Sequence, residues 1–176
     1  MDKLDQWIAE IERYNRTLHL VSPGLMAGLR EDALNCQKAL AAVDEPILAD
    51  LGSGSGLPAI PFHLIHPTTR LDLIERSSKK CQFLKHAVLK LELEGVTVRE
   101  ADALSDQIGT YPAVMARAFS PKTDLEAGLR RLLEPGGRFY YVGTGSEAPL
   151  DLASFELIEQ RSSGPISLSV FLFKPC

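Results

Sequence analysis

The fold follows from ILADLGSGSGLP, residues 47–58 of a chain of 176. An apolar run of this length that ends on an acidic residue and breaks into alternating glycines is typical of a buried strand leading into a tight loop. The apolar residues 57–65 then predict a helix that packs back on the strand. Because glycines let a ligand approach the backbone and a helix N-terminus offers free N–H groups, this unit predicts a ligand site.

The spacing of the glycines argues against two common nucleotide-binding loops. A dinucleotide fingerprint needs a third glycine where this chain has Leu57, and a P-loop needs a lysine that this loop lacks. The pattern Asp-x-Gly-x-Gly-x-Gly, residues 50–56, resembles instead the first motif of the S-adenosylmethionine (SAM) methyltransferases. In that interpretation Asp50 meets the ammonium group of SAM, and the loop backbone lies under the rest. An ordinary glycine turn remains the alternative at this stage.

The composition is that of a soluble globular protein, with 45% apolar and 24% charged residues. A net charge of −4 argues against nucleic-acid binding through bulk electrostatics, but it leaves a local basic face open. The three cysteines are widely spaced, so neither disulfides nor a metal site is predicted. Neither a membrane span nor a signal peptide is recognisable, and we expect a cytoplasmic monomer.

The chain begins with helical patterns and continues with alternating strands and helices. An amphipathic helix capped by Asp2 is predicted up to Leu18, and Ser22-Pro23 predicts the start of a second helical segment. The residues Asp44-Glu45-Pro46 mark a boundary. They divide the chain into an N-terminal helical extension, 1–45, packed on a main domain, 46–176.

The main domain reads as an α/β sheet protein. Strands are predicted over residues 47–51, 70–75, 97–102, 113–118, 138–142, 155–160 and 167–173, with helices over 57–65, 77–93 and 125–133. The last two strands form an antiparallel hairpin in this interpretation. The pattern therefore predicts a Rossmann-like, seven-stranded, mostly parallel sheet with one antiparallel strand and helices on both faces.

Acidic residues lie at the predicted ends of three strands, at Asp50, Glu75 and Asp102. Ligands bind outside the carboxyl ends of the strands in an open parallel sheet, so these residues are expected to converge. Glu75 suits ribose hydroxyls, and Asp102 or its backbone neighbours suit the adenine amino group. A solvated carboxylate is the alternative for each acid. The predicted cofactor-binding residues are Asp50, Gly52, Ser53, Gly54, Gly56, Leu57, Glu75, Ala101, Asp102, Ala103 and Arg117.

Four segments make the resemblance more specific. They are YNRTLHL at 14–20, LGSGSGLPAIP at 51–61, Glu75 followed by SKKCQFL at 78–84, and ARAF at 116–119. Together they resemble the bacterial family of small-subunit rRNA guanine-N7 methyltransferases, the glucose-inhibited division protein B family. The resemblance implies a class I SAM-dependent methyltransferase that transfers a methyl group to N7 of guanine 527 of 16S rRNA, within the small ribosomal subunit.

Substrate contacts are predicted beside the cofactor site. Arg117, at the end of the fourth strand, is the candidate catalytic residue, placed to bond guanine O6 or a phosphate; the alternative is a structural pairing with a strand-end carboxylate. Phe119 is a candidate for stacking on the base, with a core position as the alternative. Lys79, Lys80 and Lys122 are candidates for contacts with the RNA, or belong to a solvated face.

The chain departs from the family pattern at two places. Asp32-Ala33-Leu34 stands for an Asp-Ser-Leu-like motif, with Leu29 where a histidine is common. Val142-Gly143-Thr144 stands where relatives tend to have Leu-Lys-Gly. Two alternatives therefore stay open: a non-catalytic SAM- or RNA-binding module, and a methyltransferase that acts on a small molecule or a protein.

Overall fold

The computed structural model describes residues 2–117, 125–145 and 150–175. Within them, one sheet contains the strands Ile47–Leu51 (β1), Arg70–Glu75 (β2), Val96–Glu100 (β3), Tyr111–Arg117 (β4), Leu133–Thr144 (β5), Phe155–Ser163 (β6) and Ile166–Phe173 (β7). The helices are Lys3–Leu18 (α1), Pro23–Ala27 (α2), Leu29–Leu40 (α3), Ala59–Ile65 (α4), Ser78–Lys90 (α5) and Leu125–Leu132 (α6). No helix in these ranges is long and apolar enough to cross a membrane.

The strands are arranged in the order β3-β2-β1-β4-β5-β7-β6. The pairs from β3 to β5 are parallel, and β7 is antiparallel to both of its neighbours. This confirms the predicted seven-stranded sheet with one reversed strand. It also brings the carboxyl ends of β1, β2, β3 and β4 to one edge, where ligands of open α/β sheets bind.

Apolar side chains from both faces of the sheet form two clusters. One contains Trp7, Leu40, Leu48 and Phe83, so it joins α1, α3 and α5 to the sheet. The other contains residues of β4, β5 and α6 on the opposite face. Strands buried on both faces read as nearly continuous apolar runs, which explains why β1 and β4 are recognisable in the sequence.

Local capping explains where the N-terminal helices begin. Asp2 accepts a hydrogen bond from the backbone N–H of Asp5 at 2.7 Å, and Ser22 caps α2 through the N–H of Leu25 at 3.2 Å. These contacts confirm both predicted helix starts. The second helical segment is two helices, however, because the chain breaks at Gly28, which is the C-cap of α2 and the N-cap of α3.

The predicted bounds of β3 to β7 differ from the structure by one to five residues, and the differences at β3 and β5 matter most. The third strand ends at Glu100, so Asp102 lies beyond it. The fifth begins at Leu133, because the predicted Pro135-Gly136-Gly137 turn is an irregularity within β5, where the pairing register with β4 shifts. Gly136 has a φ of 78°, a conformation that other residues seldom adopt.

Candidate functional site

The glycine loop turns sharply from β1 toward α4 at the carboxyl edge of the sheet. Its glycines Gly52, Gly54 and Gly56 have φ angles of 69°, 55° and 89°. The backbone N–H groups of Gly52 and Ser53 both donate to the carbonyl of Ile74, at 2.9 and 3.0 Å. The loop is therefore fixed to the end of β2, with its backbone turned through conformations that glycine alone adopts without strain.

Gly56 leaves no room for a side chain. A Cβ atom there would lie 2.5 Å from Cδ1 of Ile60 and 3.4 Å from Cδ2 of Leu84. Replacement by alanine is expected to lower the free energy of unfolding by about 2 kcal/mol, from the strain of positive φ and from the overlap. Denaturant unfolding measures this change. Gly24→Ala is the matched control, because nothing lies within 4 Å of its Cβ position. Equal stability of the two variants would contradict the packing at Gly56.

Asp50 is a buried carboxylate with an unsatisfied oxygen. Its residue is 1% exposed, and among the described residues its Oδ2 has no hydrogen-bond partner. Burial raises the pKa of Asp50 to about 7, the negative charge of Glu75 adds to the rise, and a hydrogen bond with Ser53 opposes it. A buried acceptor without a donor costs free energy, so this atom favours a ligand that brings a donor or a positive charge.

Glu75 holds the loop from the end of β2. Its Oε2 accepts from the N–H of Gly54 at 3.0 Å, and its Oε1 accepts from the N–H of Ser77 at 2.8 Å. The residue is 7% exposed. A carboxylate has about four acceptor positions, so each oxygen can still accept from a ligand hydroxyl. The residues near Glu75 that the sequence did not suggest are Ser77, whose N–H it binds, and Ile74, whose carbonyl binds the loop.

Asp102 lies in a turn after β3. Its Oδ1 accepts from the N–H of Leu104 at 2.9 Å, its own N–H donates to Asp106 at 2.8 Å, and its Oδ2 lies 3.8 Å from Nη1 of Arg76. The preceding N–H, that of Ala101, donates to the carbonyl of Glu75 at 3.1 Å. The segment that contains Asp102 is thus joined directly to the Glu75 end of β2.

Arg117 is held by a helix rather than by a strand. Its Nη2 donates to Oδ1 of Asp32 at 3.0 Å, and its Nη1 donates to Oδ2 of Asp32 and to Sγ of Cys36, the latter at 3.2 Å. The Arg117 and Asp32 side chains are 13% and 14% exposed. The structural alternative predicted a strand-end carboxylate as the partner of Arg117, but the carboxylate lies in the first turn of α3.

The remaining surroundings of Arg117 keep it charged and leave donors available. Burial opposes its charge, but the hydrogen bonds to Asp32 and Cys36 and the negative charge of Asp32 outweigh burial and raise the pKa of Arg117. Burial also raises the pKa of Cys36 to about 12, so the thiol stays protonated. Of the five guanidinium N–H groups, Nε–H and one N–H of Nη2 have no partner in the described part of the chain.

The predicted RNA contacts are placed only in part. Lys79 and Lys80 lie in the first turn of α5, directly after Glu75 and its neighbours, and Lys79 is exposed. Phe119 and Lys122 lie outside the described residues. The described ranges contain no group of three His, Cys, Asp or Glu side chains that could hold a metal ion.

Comparison with solved structures supports the fold. The Escherichia coli methyltransferase yhhF covers 83% of this chain, and 87% of it is covered in turn, with a TM-score of 0.63 at 18% identity. A variant of MtNAS in complex with S-adenosylmethionine aligns with a TM-score of 0.68 at 15% identity, over 98% of this chain and 72% of its own. These similarities confirm the Rossmann-like fold of class I methyltransferases.

Comparison of sequences identifies the family. The family model for GidB, rRNA small subunit methyltransferase G, matches residues 1–159. Ribosomal RNA small subunit methyltransferase G 3 of Bdellovibrio bacteriovorus is 31% identical over 80% of this chain, and methyltransferase G of Halorhodospira halophila is 34% identical over 78%. The chain spans 66% of the length of each of these two relatives. The resemblance predicted from the motifs is confirmed, and the chain belongs to the rRNA small subunit methyltransferase G (GidB) family.

Proposed function

We propose that this chain transfers a methyl group from SAM to N7 of a guanine in 16S rRNA, at position 527. The observation that carries the proposal is the buried Oδ2 of Asp50, which has no hydrogen-bond partner among the described residues and lies beside a glycine loop, in a chain of this family. A buried carboxylate oxygen without a donor fits the ammonium group of SAM. The proposed substrate is rRNA within the small ribosomal subunit, and the proposed setting is a monomer in the cytoplasm.

The cofactor residues are proposed from their chemistry. Asp50 would hold the ammonium group, Glu75 would accept from the ribose hydroxyls, and Asp102 with the backbone of Ala103 would meet the adenine. The backbone of the loop residues would lie against the cofactor; these residues are Gly52, Ser53, Gly54, Gly56 and Leu57. When bound, SAM supplies an electrophilic methyl group on its sulfonium.

The reaction asks the protein for alignment rather than proton removal. Guanine N7 has an available lone pair, so no general base is needed for the bond to the methyl carbon to form. Holding two reactants in the geometry of attack supplies a large part of the rate enhancement of many enzymes. We propose that Arg117 contributes to this alignment from the substrate side, because the two N–H groups that have no partner within the described ranges suit oxygen acceptors such as a phosphate or guanine O6.

The target guanine is proposed to be unpaired when it binds. N7 lies in the deep, narrow major groove of A-form RNA, where side chains do not reach. Lys79 and Lys80 are proposed to contact phosphates of the RNA, because they follow the end of β2 at the same edge of the sheet as the loop. The roles of Phe119 and Lys122, and the division of the chain at residue 45, stay predictions.

One observation favours a second function. β5 ends in Val142-Gly143-Thr144, without the lysine that the resemblance described under Sequence analysis leads us to expect there. A chain that lost a substrate-side cation while keeping Asp50 and the glycine loop would bind SAM or RNA without turnover. A methyltransferase for a small molecule or a protein would keep the same cofactor residues.

Methyl transfer to defined substrates tests the proposal. Small ribosomal subunits and naked 16S rRNA from a strain that lacks the modification are incubated with the protein and radiolabelled SAM, and the labelled base is mapped. We expect N7 of one guanine to be labelled, and Asp50→Ala to abolish the labelling. Binding of SAM without labelling of either RNA would favour the non-catalytic module. Labelling of another class of molecule would favour the third possibility.

A further inference from the structure

We infer that Trp7, in the N-terminal helix, is a positioning residue for the glycine loop, and this inference rests on the proposed binding of SAM there. The indole Nε1 of Trp7 donates a hydrogen bond to the backbone carbonyl of Ser55 at 3.0 Å, and both groups are buried. The two residues are 48 positions apart in the chain. A helix outside the strand-loop-helix unit therefore contacts the backbone of the loop that is proposed to hold the cofactor.

The contact fixes a part of the loop that β2 does not reach. β2 binds the N–H groups of Gly52 and Ser53 through Ile74, and that of Gly54 through Glu75. The following carbonyl, that of Ser55, has no donor other than Trp7 among the described residues. It stands immediately before Gly56. Glycines lose more conformational freedom on ordering than other residues, so a loop with three of them depends on such anchors.

The helix that carries Trp7 is itself firmly placed. Trp7 and Ile11 are 0% exposed and belong to the apolar cluster under the sheet. Farther along α1, Tyr14 packs edge-on against Phe83 of α5 with ring centroids 5.8 Å apart, and Glu10 lies 2.8 Å from Nε2 of His86. α5 directly follows the Glu75 end of β2. Because α1 packs on α5, the helix and the strand that contact the loop belong to one packed unit.

Trp7→Phe isolates the hydrogen bond. Phenylalanine keeps an aromatic ring in the apolar cluster but has no N–H, so the buried carbonyl of Ser55 loses its donor. We expect the Kd for SAM to rise about tenfold, because ordering the loop when SAM binds then reduces the net free energy of binding. The KM for SAM should rise in parallel, while kcat at saturating SAM and the KM for ribosomal subunits stay near the wild-type values.

Ile11→Val is the matched control. It removes one methylene from the same helix and the same buried cluster, so it lowers stability without touching the loop. Its Kd for SAM is expected to equal that of the wild type. Wild-type affinity in Trp7→Phe would overturn the inference, and so would an equal loss of affinity in Ile11→Val, which would indicate a general effect of stability.

A second measurement needs no variant. Trp7 is the only tryptophan in the chain, so the indole fluorescence reports the surroundings of this one side chain, its hydrogen bond to Ser55 included. Titration with S-adenosylhomocysteine is expected to change the emission, and the Kd from this change should equal the Kd from calorimetry. Unchanged emission at calorimetric saturation, together with a wild-type Kd for SAM in Trp7→Phe, would overturn the inference while leaving the proposed function intact. A wild-type protein that binds neither SAM nor S-adenosylhomocysteine would overturn the proposed function itself.

Discussion

Asp32→Ala is expected to lower the free energy of unfolding by about 3–5 kcal/mol, because it leaves the buried guanidinium of Arg117 without its carboxylate. Both side chains are less than 15% exposed, and the pair joins the first turn of α3 to the end of β4. The buried thiol of Cys36 cannot compensate, since it is a weak acceptor and stays protonated. Denaturant unfolding of the wild type and the variant gives the difference directly.

Glu156→Ala is the control for this effect. Glu156 pairs with Lys174, and the two side chains are 51% and 59% exposed, so its removal is expected to change stability by less than about 1 kcal/mol. The double variant Asp32→Leu/Arg117→Met is expected to recover much of the stability, because replacing both partners leaves no unpaired buried charge. A change below 1 kcal/mol in Asp32→Ala would contradict the buried pair.

As the pH is raised toward 7, the affinity for SAM is expected to increase about tenfold per pH unit, and above pH 7 it should level off. The pKa of Asp50 is raised to about 7 by burial and by Glu75, so the carboxyl is mostly protonated in the free protein at lower pH. An ammonium group beside it requires the ionised form, and binding therefore releases a proton. Above about pH 8 the affinity should fall again as the amino group of SAM loses its own proton. Calorimetry across this pH range measures both the increase and the decrease in affinity.

Asp50→Asn tests both parts of this pH dependence. The amide cannot ionise, so the rise below pH 7 is expected to disappear, and the fall above pH 8 is expected to become smaller, because a neutral partner favours the ammonium form over the amine less strongly. At pH 7.5 the affinity should be about 10- to 100-fold weaker than that of the wild type, from the loss of a charged hydrogen bond. A wild-type Kd that is constant from pH 5.5 to 7.5 would contradict the proposed partner of Asp50.

The sequence predicts the sheet well because its strands obey local rules. β1 and β2 are short segments with an acid at or next to their carboxyl ends, and their predicted bounds match the structure. The bounds that differ involve pairing across the sheet. Pro135-Gly136-Gly137 has the composition of a turn, but it lies within β5 because Leu133 and Arg138 on either side of it pair with β4, which local composition does not record.

The site is predictable only where its residues lie close to the motif. The proximity of Glu75 to the glycine loop was predicted from its place at the carboxyl end of a parallel strand, and the structure gives it a hydrogen bond from the N–H of Gly54. Trp7 reads as an ordinary apolar residue of an amphipathic helix, because its N–H has no signature in the sequence. The partner of Arg117 was equally hidden: Asp32 is 85 positions away, and only packing of α3 on the sheet brings the two together.

The reversed strand also bears on how the chain is made. β7 is synthesised after β6 but lies between β5 and β6, and in the described sheet β6 pairs with β7 alone. While β6 leaves the ribosome it has no partner, so this half of the sheet closes only after β7 has emerged. A chain interrupted between the two strands would expose the edge of β5 and an unpaired β6, both of which are templates for aggregation.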